Sequence, residues 1–186
     1  LAGDGVPEDD ILQNFVAYHR LAADYDKREA AGIEPARAYI DEIRNLASFE
    51  DYASKIADFE LAGKPTYFPF GVAPDFMDAR INVLWADGPG TILPDTTYYA
   101  EDHPQKADLL AKWRKAQEDL LAKFGFAEEE IKDLLDKVLE LDAVFAQYVL
   151  SSEESSEYAK LYHPYKWDDF KALVPELPLA DIFTKL

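Results

Sequence analysis

The chain has no cysteine among its 186 residues. That excludes disulfide bridges and thiolate metal sites. Basic residues are few: 19 Lys and Arg face 37 Asp and Glu, giving a formal net charge of −18. A surface this acidic repels phosphate backbones and anionic lipid, so neither nucleic acid nor membrane is an expected partner. No apolar run approaches the roughly 20 residues of a bilayer span. The opening LAGDG shows no signal-peptide pattern. It also lacks an initiator Met, so the expectation is a natural N-terminus further upstream. The last apolar segment stops at Leu186 without a cap or polar tail, a second sign of a piece of a longer chain. There is no internal repeat and no low-complexity tract.

What is present suits one packed domain. Apolar residues make up 48% and aromatics 13%, enough for a well-filled core at this length. Residues 1–6 are expected to be loose. Pro7 and Glu8 suit a helix start. Ile11, Phe15, Tyr18, Ala22 and Tyr25 then recur at helical spacing, predicting a helix to about Ala30 with Gly32 as its C-terminal cap. Pro35 opens a second helix to about Leu46. Ser48 and Asp51 approximate a capping box for a third, Phe49 to Leu61, ended by Gly63.

The pattern then becomes extended. Tyr67–Val72 and Arg80–Trp85, separated by a turn at Pro74-Asp75, predict a small two-stranded hairpin with Pro69 at an edge. Leu84 to Tyr99, LWADGPGTILPDTTYY, follows as an ordered loop too apolar to be a solvated linker. Two long amphipathic patterns come next, Pro104–Gly125 and Ala127–Leu150, joined by a short link as an antiparallel helical pair. Asp133 and Lys137 form an i,i+4 pair. Short helices are predicted over Trp167–Leu173 and Leu179–Leu186, with one turn or loop at Ser151–Ser156. The fold class is mainly α: a single helical domain over 1–186 with one small two-stranded β-hairpin.

Candidate chemistry is sparse. His19, His103 and His163 are isolated, and no H-E-x-x-H pair places two histidines on one helical face. Asp9-Asp10, Glu153-Glu154 and Asp168-Asp169 are adjacent pairs, which read as solvated charge or helix starts rather than acid–base pairs. The serines lack a G-x-S-x-G setting, and Gly88-x-Gly90 is not followed by the Lys-Ser/Thr of a phosphate loop. No catalytic or metal residue is expected. Trp85, Tyr98 and Tyr99 are the candidates for a peptide-facing surface. Packing of hairpin and loop onto helices explains the same residues, and the two readings are compatible.

Three segments, in order and at fitting spacing, carry a resemblance. GIEPARAYIDEI (Gly32–Ile43), the Gly turn with Leu93-Pro94-Asp95 and Tyr98-Tyr99, and LYHPYKWDDFKALVP (Leu161–Pro175) resemble the N-terminal half of neprilysin-like zinc metalloendopeptidases, closest to bacterial oligoendopeptidase O. The resemblance runs from about Phe15 to the end. It implies a fragment of the helical cap lobe, which faces a separate catalytic lobe where zinc activates a water and a glutamate serves as base. That lobe, with its zinc, is not in this chain. The partners implied are the missing catalytic lobe and oligopeptide substrates. Animal members are disulfide-bonded and extracellular; the lack of cysteine fits a bacterial cytoplasmic member better.

The functional expectation is a non-catalytic cap-lobe piece of a zinc metalloendopeptidase, inactive alone and prone to self-association through its exposed cut face. The alternative is a stand-alone helical module that binds peptide or protein without cleaving it. A third reading, an independent enzyme built on converging carboxylates, would need clustered Asp or Glu in a cleft.

Overall fold

A computed structural model describes residues 9–186. The expectations for residues 1–6, Pro7 and Glu8 lie outside the described residues. Ten α-helices and one two-stranded antiparallel sheet make up the described chain. It divides into two compact units, 1–45 and 46–186.

The first unit holds α1 (Asp10–Ala23), α2 (Tyr25–Ala31) and α3 (Glu34–Arg44). The single first helix expected from the periodicity is two helices. Asp24 leaves helical geometry, at φ −81° and ψ 78°, and its carboxylate accepts the Lys27 N–H at 3.0 Å. A short acidic side chain can satisfy a helix start as readily as continue a helix, so the break occurs there. Gly32 is the expected C-terminal cap, at φ 54°.

The second unit opens with α4 (Phe49–Leu61), matching its expected bounds. The Ser48 hydroxyl accepts the Asp51 N–H at 3.2 Å. Asp51 returns a bond to the Ala47 N–H at 3.0 Å, one residue earlier than a capping box would place it. The core lies between α4 and the last helix, α10 (Leu179–Lys185). Ala53, Ile56 and Ala57 pack with Leu177, Leu179 and Ile182. Lys185 closes the seam with an ion pair to Asp58 at 2.5 Å.

The hairpin is β1 (Phe70–Pro74) and β2 (Asn82–Ala86), paired antiparallel with Phe70 opposite Ala86 and Pro74 opposite Asn82. Both strands start later than the aromatic pattern suggested. Asp87 N–H donates to Pro69 O, and Asp75 N–H to Ile81 O. Antiparallel ladders alternate bonded and non-bonded pairs. These two bonds therefore put 71 with 85 and 73 with 83 in bonded pairs, and leave Pro74, which has no N–H, in a pair that needs none. Phe70 meets Phe183 of α10 edge-on, 4.9 Å between centroids, and ties the hairpin to the core.

After the hairpin, a 3-10 turn at Thr96–Tyr99 ends the apolar loop. Then come α5 (Lys106–Lys123) and α6 (Glu128–Phe145), linked through Gly125 at φ 82°. α6 ends five residues before the expected Leu150, in a turn closed by Tyr148 N–H on Phe145 O. The Asp133–Lys137 pair forms at 2.7 Å. Short helices α7 (Ser152–Ser155), α8 (Tyr158–Leu161) and α9 (Trp167–Leu173) lead to α10. The turn at Ser151–Ser156 carries a complete capping box between Ser151 and Glu154.

Candidate functional site

Two places in the second unit concentrate polar and aromatic groups. The first is the apolar loop. Asp142 lies on α6 where the stripe of Ile131, Leu135 and Val138 continues, and it is 6% exposed. Its Oδ1 accepts the Ile92 N–H at 2.8 Å and its Oδ2 accepts the Tyr99 hydroxyl at 2.5 Å. The Tyr99 oxygen in turn accepts the Leu93 N–H at 3.1 Å. Burial first, and the Asp142 carboxylate second, raise the Tyr99 phenol above its ordinary value. Leu93, between these bonds, is buried. Asp95 holds the other end: it accepts the Thr97 hydroxyl at 2.6 Å and the Ser152 N–H at 2.6 Å. Those donors, the Thr97 hydroxyl foremost, keep its carboxyl far below the usual carboxylate range. A cavity of about 600 Å³ lies against this loop, between Thr91–Thr96 and Val149–Tyr158.

The second place is a groove of about 460 Å³ along β2. Val83 to Ala86 form one wall and Leu161 to Tyr165, with Trp167 and Phe170, the other. The far wall is pinned to the hairpin turn. The Tyr162 hydroxyl donates to Asp75 Oδ2 at 2.9 Å, and Asp75 Oδ1 accepts the Met77 and Asp78 amides at 2.7 and 3.0 Å. The Met77 amide foremost, then the Tyr162 hydroxyl, lower the Asp75 carboxyl, and the bond to Asp75 foremost raises the Tyr162 phenol. Phe76 packs on Trp85 at 4.5 Å and lies 6.2 Å from Tyr162. The Trp85 indole N–H is buried without a hydrogen-bond partner.

The three sequence candidates do not form one constellation. Trp85 lines the groove. Tyr98 stacks on His103 at 4.2 Å, and Tyr99 is bonded to Asp142. Neither tyrosine lines either cavity. Asp75 and Asp142 were missed. A signal existed for Asp142: a carboxylate at a core position of an apolar helical stripe needs a buried donor. Asp75 gave only a turn signal, since its partner Tyr162 lies 87 residues on.

No group of three or more His or carboxylate residues among the described residues is arranged to hold a metal ion. The serines serve locally: Ser48 and Ser151 cap helices, and Ser54 and Ser156 donate to the Asp51 and Glu153 carbonyls. No helix among the described residues is long and apolar enough to cross a membrane. What the geometry offers is two cavities, one against the apolar loop and one along β2.

Residues 3–186 match the N-terminal model of peptidase family M13. The chain belongs to peptidase family M13. This M13 chain is 96% identical over all 186 residues to a Streptococcus gordonii protein that carries the name of a zinc metalloproteinase in the scaA 5′ region, and spans 33% of it. It is 33% identical over 176 residues to a neutral endopeptidase of Lactococcus lactis, spanning 28% of that protein. The crystal structure of PepO from Lactobacillus rhamnosis superposes with a TM-score of 0.77 at 25% identity, over 83% of this chain and 24% of that one. The zinc metalloprotease Zmp1 of Mycobacterium tuberculosis, at 18% identity and a TM-score of 0.74, shares the fold. The chain spans about a third of the length of the curated relatives it matches.

Proposed function

We propose that this chain is a non-catalytic part of the cap lobe of a bacterial zinc metalloendopeptidase that hydrolyses oligopeptides. The M13 N-terminal match over 3–186 carries the reading. The absence of a metal-holding cluster among the described residues is consistent with it. Exposed apolar faces support it as well. Ile11 is 79% exposed and Tyr148 81%, and α5 has no buried residue despite its leucine stripe. Faces of this kind suit burial against another body.

Zinc and the peptide-cleaving groups then belong to the longer polypeptide, with the catalytic lobe as the chain's partner. Its compartment, on this reading, is the bacterial cytoplasm; cell fractionation tests that. The activity test compares the 186-residue chain with the longer polypeptide, by bound zinc and by hydrolysis of a quenched fluorescent oligopeptide. The longer polypeptide is expected to hold zinc and lose hydrolysis to a chelator. The chain alone is expected to do neither. Stoichiometric zinc and cleavage by the chain alone would overturn the reading.

The groove along β2 favours a second reading, a helical module that binds peptide without cleaving it. It predicts peptide binding with no dependence on any catalytic partner.

A further inference from the structure

The ladder of the hairpin decides what the groove presents. Residues 81, 83, 85 and 87 of the second strand face β1 in bonded pairs. The alternate residues, Leu84 and Ala86, therefore turn their N–H and C=O groups the other way. That side is the groove: Val83 to Ala86 all line it, and no residue of β1 does. No residue of the far wall bonds these outward groups among the described residues. An unpaired strand edge is a template for one more strand. Trp85 also lines this groove, while its indole N–H is buried out of solvent contact. The far wall adds Tyr162, Tyr165 and Trp167, aromatic faces on which side chains can pack.

We infer that this groove is a peptide-binding exosite, in which an extended peptide adds to the outer edge of β2. Its backbone pairs with Leu84 and Ala86. Leu84 and Ala86 are two residues apart, so a three-residue stretch, roughly 7 Å long, spans both. The volume, about 460 Å³, falls within the roughly 300–1,000 Å³ of ligand sites. The occupant is an apolar segment with basic flanks. Aromatic walls select the apolar centre, and the net charge of −18 attracts the flanks. The wall is preformed, because Tyr162 is already bonded to Asp75 and spaced against Phe76. The peptidase reading supplies only the source of such peptides; binding itself does not rest on it.

The test titrates the full 186-residue chain with an apolar heptapeptide flanked by lysines, followed by calorimetry and amide hydrogen exchange. Binding is expected, with exchange slowed at Leu84 and Ala86. Two changes should each weaken it at least about fivefold, the scale of one lost backbone hydrogen bond. One is Leu84→Pro, which deletes an outward N–H and leaves the bonds to β1 intact. The other is N-methylation of alternate peptide amides, which needs no change to the protein. A glutamate-flanked peptide should bind less well. Equal binding of the N-methylated peptide, or unchanged exchange at Leu84 and Ala86 in the complex, would overturn strand addition. No binding at millimolar peptide would overturn the site while leaving the family assignment untouched.

Discussion

Tyr99 and Asp142 show what one buried pair does for a loop that has no regular structure over most of its length. The phenol both donates to the carboxylate and accepts the Leu93 amide. Tyr99→Phe removes both bonds and deprives a buried carboxylate of one donor. It should destabilise the chain by about 1–3 kcal/mol in urea unfolding. The same phenol sets an alkaline limit. Its folded value is raised above 10.0, by burial first and by Asp142 second. Its contribution is therefore complete below about pH 10 and lost as pH rises through the raised value. Stability curves above pH 10 should fall in the wild type and flatten in Tyr99→Phe. Asp95 has the opposite sign. Its carboxyl is held far below 3.8, by the Thr97 hydroxyl foremost. Its contribution is present above about pH 4 and fades as pH drops further. Asp95→Asn should be less stable at neutral pH and should flatten the acid limb of the same curve.

Among the elements, the α5–α6 pair was legible in the sequence because its signals are local. Leucine periodicity, a glycine link and i,i+4 charges each act within a few residues. Gly125 makes a specific demand, since φ 82° disfavours any residue with a Cβ. Gly125→Ala should cost about 1–2 kcal/mol, read as a lowered urea midpoint with unchanged slope. The hairpin was legible as a hairpin but not in its bounds. Aromatic content marked its first strand from Tyr67, while the ladder begins at Phe70. Tyr67 instead turns to the helices: its N–H donates to the Tyr52 hydroxyl at 3.0 Å and its ring lies 6.3 Å from Phe145. An aromatic side chain fits a strand or a helix-packing turn equally well, and only the partners decide. The break at Asp24 was hidden for a related reason. The apolar spacing runs through it, and the side-chain bond that ends the helix leaves no mark in the period.

For the whole molecule, the α4–α10 seam concentrates the buried residues. Ile56 is fully buried, so Ile56→Ala should cost about 2–5 kcal/mol, measured by thermal or chemical unfolding. The faces outside that seam are less covered. Phe15, Tyr18 and Tyr25 of the first unit are exposed, and so are Leu134, Leu141 and Tyr148 of the second. If these faces belong against a missing lobe, the isolated chain should self-associate as its concentration rises. Sedimentation velocity checks this. A monomer at all concentrations would count against a missing lobe.

The sequence by itself determined the mainly helical class, the hairpin, the helix caps and the M13 family. Each of these rests on residues close together in the chain or on motifs in order. It also excluded cysteine-based metal chemistry by composition. Only the tertiary structure decided that Tyr99 serves Asp142, 43 residues away, and that Tyr162 serves Asp75, 87 residues away. It also separated Trp85 from Tyr98 and Tyr99. The physical reason is common to all three. A hydrogen bond or a groove wall between distant segments depends on how helices dock, and docking leaves no periodic trace along the chain.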